Sequence, residues 1–172
     1  VCKNVFIGKT DVSGMTKEEA VKAVNNTLGD YRNKQLVLKV KDQGADVSIE
    51  EMGAEVENID KLAEKAVGYG KNGSIWSRYQ KIHNLDKKKY VIDESFKVEE
   101  AKLRELIQER AVPLEQKAVN ASASYNGSGF DLTDEAEGYT VDVDKSVKKI
   151  KNFMNKKWNY EDAEVELKLD TE

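Results

Sequence analysis

Two hydrophobic periods alternate along this chain, and that alternation limits its fold more than any other feature. Apolar residues recur at every second position in some segments, the spacing of a half-buried strand. In others they recur three and four apart, the spacing of a surface helix. Leu36, Leu38 and Val40 mark one strand and Val165, Leu167 and Leu169 another; Ile59, Leu62, Ala63, Ala66 and Val67 mark a helix. An all-helical bundle has no use for the first pattern, and an all-strand sandwich none for the second. The expected class is α+β, with small, mainly antiparallel sheets each packed with one or two helices.

Local signals set the order of elements. Thr16-Lys17-Glu18-Glu19 is a capping box, so a helix should start there and carry Ala20, Val21, Val24 and Leu28 inward, with Gly29 as its stop. Strands are expected at 35–41 and 46–49 across a turn at 41–44, followed by a helix over 59–67 that Asn58 or Asp60 could cap. The segment Gly68-Tyr69-Gly70-Lys71-Asn72-Gly73-Ser74 is the most glycine-dense in the chain and reads as a tight loop before a short helix over 75–85. Beyond it lie a strand at 90–92 and a helix at 98–110 that ends before Pro113. A hairpin across Asn126-Gly127, a helix after Asp144 and a last strand at 163–169 complete the chain. The stretches 47–56 and 130–141 share one order: strand, acidic turn, glycine, short extended piece, helix. That similarity points to two related α+β lobes, residues 1–84 and 85–172.

Composition removes several functions. The 172 residues carry 28 basic and 32 acidic side chains, a net charge of −4. Nucleic-acid binding rests on a basic excess that releases counterions from phosphate, so that partner is not expected. No apolar run approaches the ~20 residues of a membrane span, and the opening residues look like a strand, not a signal peptide. A membrane link is expected only through a segment outside this sequence. Cys2 is the sole cysteine and has no internal disulfide partner; it is expected to be a buried or half-buried strand residue. His83 is the only histidine, so neither a zinc cluster nor a Ser-His-acid arrangement can be assembled around it in the usual way. The acidic groups Glu50-Glu51 and Asp134, Glu135 and Glu137 read as turn residues in water. No catalytic residue, metal or cofactor is expected.

The aromatic residues around the glycine-rich loop are the best clue to a ligand. Tyr69, Trp76 and Tyr79 lie near Asn72 and Arg78. Sugar rings stack their apolar faces on aromatic planes and offer hydroxyls and amides to donors such as Asn and Arg. Packing against the core is the competing role for the same aromatic rings. Lys145, Lys148, Lys149, Lys151, Lys156 and Lys157 make the last helix basic. Such a face could meet wall phosphate or an anionic membrane, or simply be solvated.

Residues 5–20, which run Val5-Phe6-Ile7-Gly8-Lys9-Thr10-Asp11-Val12-Ser13-Gly14-Met15 into the capping box, resemble the opening of the extracellular region of VanW-like proteins. A similar segment begins the N-terminal region of certain L,D-transpeptidases of Gram-positive bacteria. Ile49-Glu50-Glu51-Met52-Gly53, the 66–73 segment, Gly129-Phe130-Asp131-Leu132, Glu137-Gly138 and Val141-Asp142 resemble later parts of the peptidoglycan-binding domain of those proteins. The resemblance implies an α+β module outside a bacterial membrane, with an upstream anchor, a downstream domain and peptidoglycan, glycan strand or stem peptide, as partner. It implies no ligand residues; Tyr69, Asn72, Trp76, Arg78 and Tyr79 come from local chemistry alone. A structural spacer that positions a neighbouring domain and binds no glycan remains the alternative.

Overall fold

The computed structural model describes residues 1–171. The chain opens with β1 (Val5–Ile7) and β2 (Thr10–Asp11), then α1 (Lys17–Asp30), the hairpin β3 (Gln35–Val40) and β4 (Gln43–Ser48), β5 (Glu55–Val56) and α2 (Ile59–Gly68). After α3 (Ile75–Asn84) come β6 (Tyr90–Ile92), β7 (Phe96–Lys97) and α4 (Glu100–Leu106). The last part holds the hairpin β8 (Ser122–Tyr125) and β9 (Phe130–Thr133), β10 (Tyr139–Val141), α5 (Val143–Lys156), β11 (Ala163–Glu166) and β12 (Leu169–Thr171).

These elements form an α+β fold of small sheets packed with helices, in the orders β2-β1-β6, β11-β3-β4, β5-β7, β10-β12 and β8-β9. Most pairings are antiparallel; β1 with β6 and β3 with β11 are parallel. Residues on both sides of position 84 share three of these sheets and one apolar core. Ala20, Val24 and Leu28 of α1 are buried, as are Ala63 and Ala66 of α2, and the small alanines let the two helices approach closely. Val147, Ile150 and Met154 bury the inner face of α5.

The capping box at Thr16 forms in both directions: the Glu19 amide donates to Thr16 Oγ1 at 3.2 Å, and the Thr16 amide to Glu19 Oε2 at 2.9 Å. Elsewhere boundaries shift for identifiable reasons. α1 runs past Gly29 to Asp30 and is capped by Tyr31, because Gly29 keeps helical geometry and does not turn left-handed. Lys41 takes the left-handed conformation (φ 54°), so β4 starts at Gln43 and Gly44 lies inside the strand. A Cβ on Gly44 would meet Val37 Cγ1 at 2.7 Å. Asn58 precedes α2 in a left-handed conformation and makes no side-chain cap. The helix expected at 98–110 is α4 followed by a π-helical turn, Ile107–Ala111, which buries both of its end residues. A 3-10 turn at Val112–Leu114 accommodates Pro113. The strand expected at 163–169 breaks after β11, where the Lys168 amide donates to Ser146 Oγ at 3.0 Å and the chain leaves β3 to pair with β10. Cys2 is half-buried just before β1, not inside a strand.

Candidate functional site

Gly70 (φ 75°) and Gly73 (φ 107°) give the loop after α2 its two left-handed positions. A Cβ on Gly70 would stand 3.1 Å from Ile82 Cγ1 and 3.4 Å from Cys2 Sγ, so the loop closes directly onto α3 and the chain's start. Ser74 then caps α3 by accepting from the Ser77 amide at 3.3 Å. No residue of α3 is buried. The helix is held at its end instead: Leu85 is buried, and Asn4 Nδ2 donates to the Leu85 carbonyl at 2.8 Å. Lys3 pairs with Asp86 and holds that carboxyl below the ordinary carboxylate range.

The expected site residues divide into two groups. Trp76 and Tyr79 remain 67% and 58% exposed, which sets aside the core-packing role for both. Their rings lie 5.9 Å apart at 23°, and Tyr79 continues to His83 at 5.8 Å and 3°. Three nearly parallel rings thus form a row along one face of α3, flanked by exposed Ile75 and Ile82. Asn72 and Arg78 are exposed, and neither makes a side-chain hydrogen bond among the described residues; helical spacing directs Arg78 from a different side of α3 than the row. Tyr69 does not join them. Its ring stacks on Tyr90 at 3.9 Å and 17°, and its carbonyl accepts from the Cys2 thiol at 3.4 Å. Burial, with Tyr90 and Cys2 adding to it, pushes the Tyr69 phenol above its ordinary value, so it stays neutral. Tyr69 supports the loop from below, while the open row belongs to α3. His83 completes that row; the sequence marks it only through its i+4 spacing from Tyr79.

A second concavity lies on α5. Lys149, Asn152, Phe153, Lys156 and Lys157 follow helical spacing and line one wall of an open groove of about 440 Å³, with Glu164, Val165 and Glu166 of β11 opposite. The lysine-rich helix is visible in the sequence. The groove is not, because it needs β11 at the outer edge of its sheet.

The acidic turns behave as turn residues. Glu51 is bound by Arg110, and Asp134, Glu135 and Glu137 are exposed. No group of three potential metal ligands occurs among the described residues, and none of their helices is long and apolar enough to cross a membrane.

The chain matches the model of the family described as "Putative peptidoglycan binding domain" over residues 45–163. The match spans more than half of the sequence, and the protein belongs to this family. It takes in α3, the α5 wall of the groove but not its β11 wall, and the exposed hairpin β8–β9. No curated protein and no solved structure matches the chain.

Proposed function

We infer that this chain is a non-catalytic, extracellular module that holds its parent protein, of the VanW-like or L,D-transpeptidase type, on peptidoglycan. The observation that carries this reading is the exposed row Trp76, Tyr79 and His83 on a helix that buries nothing of its own. Large aromatic side chains left in water offer apolar ring surface for a sugar to pack on, and the exposed Arg78 and Asn72 of the same loop and helix supply donors. The test is retention on purified, teichoic-acid-stripped peptidoglycan at low and at high salt. Wild-type protein is expected to be retained at both. Trp76→Ala with Arg78→Ala should weaken retention while leaving the fold intact, since both side chains are exposed. Unchanged retention of that double variant would remove α3 from the binding surface.

One observation favours the spacer reading. The hairpin β8–β9 exposes Tyr125, Phe130 and Leu132, an apolar face suited to a neighbouring domain of an anchored protein. Under that reading, removing the module from its parent changes the neighbour's activity and leaves wall retention unaltered.

A further inference from the structure

Side chains at 149, 152, 153 and 156 lie on a single stripe of α5, continued by Lys157 just past its end, and that stripe faces β11 across the open groove. Lys149, Lys156 and Lys157 have no carboxylate within ion-pair distance among the described residues, whereas Lys145 and Lys151 of the same helix are paired. Phe153 is half-buried and Val165 buried, so the floor between them is apolar. Glu164 and Glu166 make the opposite rim acidic.

The strand wall has a further property. Successive strand side chains point to opposite faces of a sheet, so three consecutive residues line one groove only when the groove runs along the strand's edge. β11 is indeed the outer strand of β11-β3-β4. The Leu167 amide donates to the Lys39 carbonyl at 2.9 Å, which places the main-chain groups of odd-numbered residues toward β3. The main-chain N–H and C=O of Glu164 and Glu166 therefore face outward along the groove. An unpaired strand edge beside a pocket is the arrangement that captures extended peptides.

A ligand that fits this lining is a short peptide with free carboxylates for the lysines, an ammonium for the glutamates and main-chain groups for the strand edge. The peptide portion of peptidoglycan has that chemistry: free carboxylates, and an amine on its diamino residue where it is not cross-linked. We propose that the groove between α5 and β11 is a second wall contact that takes the stem peptide, with its carboxylates on Lys149, Lys156 and Lys157 and its main chain along Glu164 and Glu166. The assignment rests on the wall-binding reading for its ligand class, but it uses residues distinct from the α3 row.

The test uses the full chain and two sugar-free probes, a synthetic stem tetrapeptide with a free diamino residue and a glycerol-phosphate polymer. Binding of the tetrapeptide should perturb the amide signals of residues 149–157 and 163–166. Lys156→Glu with Lys157→Glu should weaken it about tenfold, and Trp76→Ala with Tyr79→Ala should leave it unchanged. Lys22→Glu with Lys61→Glu, which changes net charge equally at exposed positions away from the groove, should also leave it unchanged. Absence of tetrapeptide binding, or equal weakening by both charge-reversed pairs, overturns the proposal, as does preference for the polymer. Intact wall bound without the tetrapeptide would sink the groove and spare the wall-binding reading. Tetrapeptide bound without intact wall would do the reverse.

Discussion

Glu51 lies between the Arg110 guanidinium and the Ser48 amide, which donates to Glu51 Oε2 at 2.8 Å. The Arg110 hydrogen bonds, and then the Ser48 amide, lower its pKa to about 2. Glu94 is placed oppositely. Its Oε1 accepts from the Tyr160 hydroxyl, its Oε2 is buried without a partner, and burial raises its pKa despite the Tyr160 bond. The two carboxyls therefore act on different limbs of the pH–stability curve. For Glu51 the folded value is depressed, so its contribution is complete above the ordinary value of 4.5 and is lost as pH falls from there toward about 2. With the Glu51 side chain 39% exposed and Arg110 33% exposed, solvent screening keeps that contribution near 0.5–1 kcal/mol. For Glu94 the folded value is raised, so the advantage of its protonated form is present below 4.5 and is lost as pH rises through the folded value. Denaturant titrations at a series of pH values should show Glu51→Gln losing stability at neutral pH and converging on wild type in acid. Glu94→Gln, which keeps an acceptor for Tyr160, should gain on wild type as pH rises above 4.5. A Glu94→Gln protein with the wild-type pH profile would mean that the Glu94 carboxyl is solvated.

The hairpin β8–β9 and the hairpin β3–β4 show how differently one kind of element can be used. In β3–β4 the strand residues Leu36, Leu38, Val40 and Val47 are buried, and β11 covers the edge of β3. In β8–β9 every residue is exposed and neither outer edge is paired. Its turn is local chemistry: Asn126 Oδ1 accepts from the Ser128 and Gly129 amides at 3.1 and 2.9 Å. Phe130→Ser with Leu132→Ser should therefore change unfolding stability by no more than about 1 kcal/mol. Leu103→Ala, at a fully buried position of α4, should cost about 2–5 kcal/mol. A large loss in the hairpin variant would show that the apolar face is covered in solution. This scale also separates what was legible from what was not. Caps and turns made by neighbours in sequence, such as Thr16 with Glu19 or the loop at Asn126, can be read from residue order. The π-helical turn at Ile107–Ala111 cannot, because it answers to burial of two side chains and to the reach of Arg110 across to Glu51. For the same reason Trp76 and Tyr79 could be named as candidates, while Tyr69 could not be told from them until its stack on Tyr90 was visible.

Across the whole molecule, the order strand, strand, helix, strand, strand, strand, helix runs once from β1 to α2 and again from β6 to α5. The corresponding strands β1 and β6 pair with each other in parallel, Val5 with Tyr90 and Ile7 with Ile92. β5 pairs with β7 and β3 with β11, so each half completes sheets begun by the other. Side chains follow the same course. Tyr31 packs on Tyr160 at 4.8 Å within a cluster that includes Phe96 and Trp158, and Asn155 Nδ2 donates to Glu57 Oε2 at 2.6 Å. Hydrophobic period reports which face of an element is buried but not which partner buries it, and so the exchange of strands was beyond the sequence. Its consequence is cooperative. Fragments 1–84 and 85–172 would each lose the partners of three sheets and expose the apolar residues those sheets bury, a loss far exceeding the marginal stability of a domain this size. Neither fragment alone should give a cooperative thermal transition, the intact chain should give one, and an equimolar mixture of the two fragments should recover it in a concentration-dependent manner. A fragment that melts cooperatively by itself would show that its half carries a self-sufficient core, and that strand exchange joins two finished lobes instead of building both.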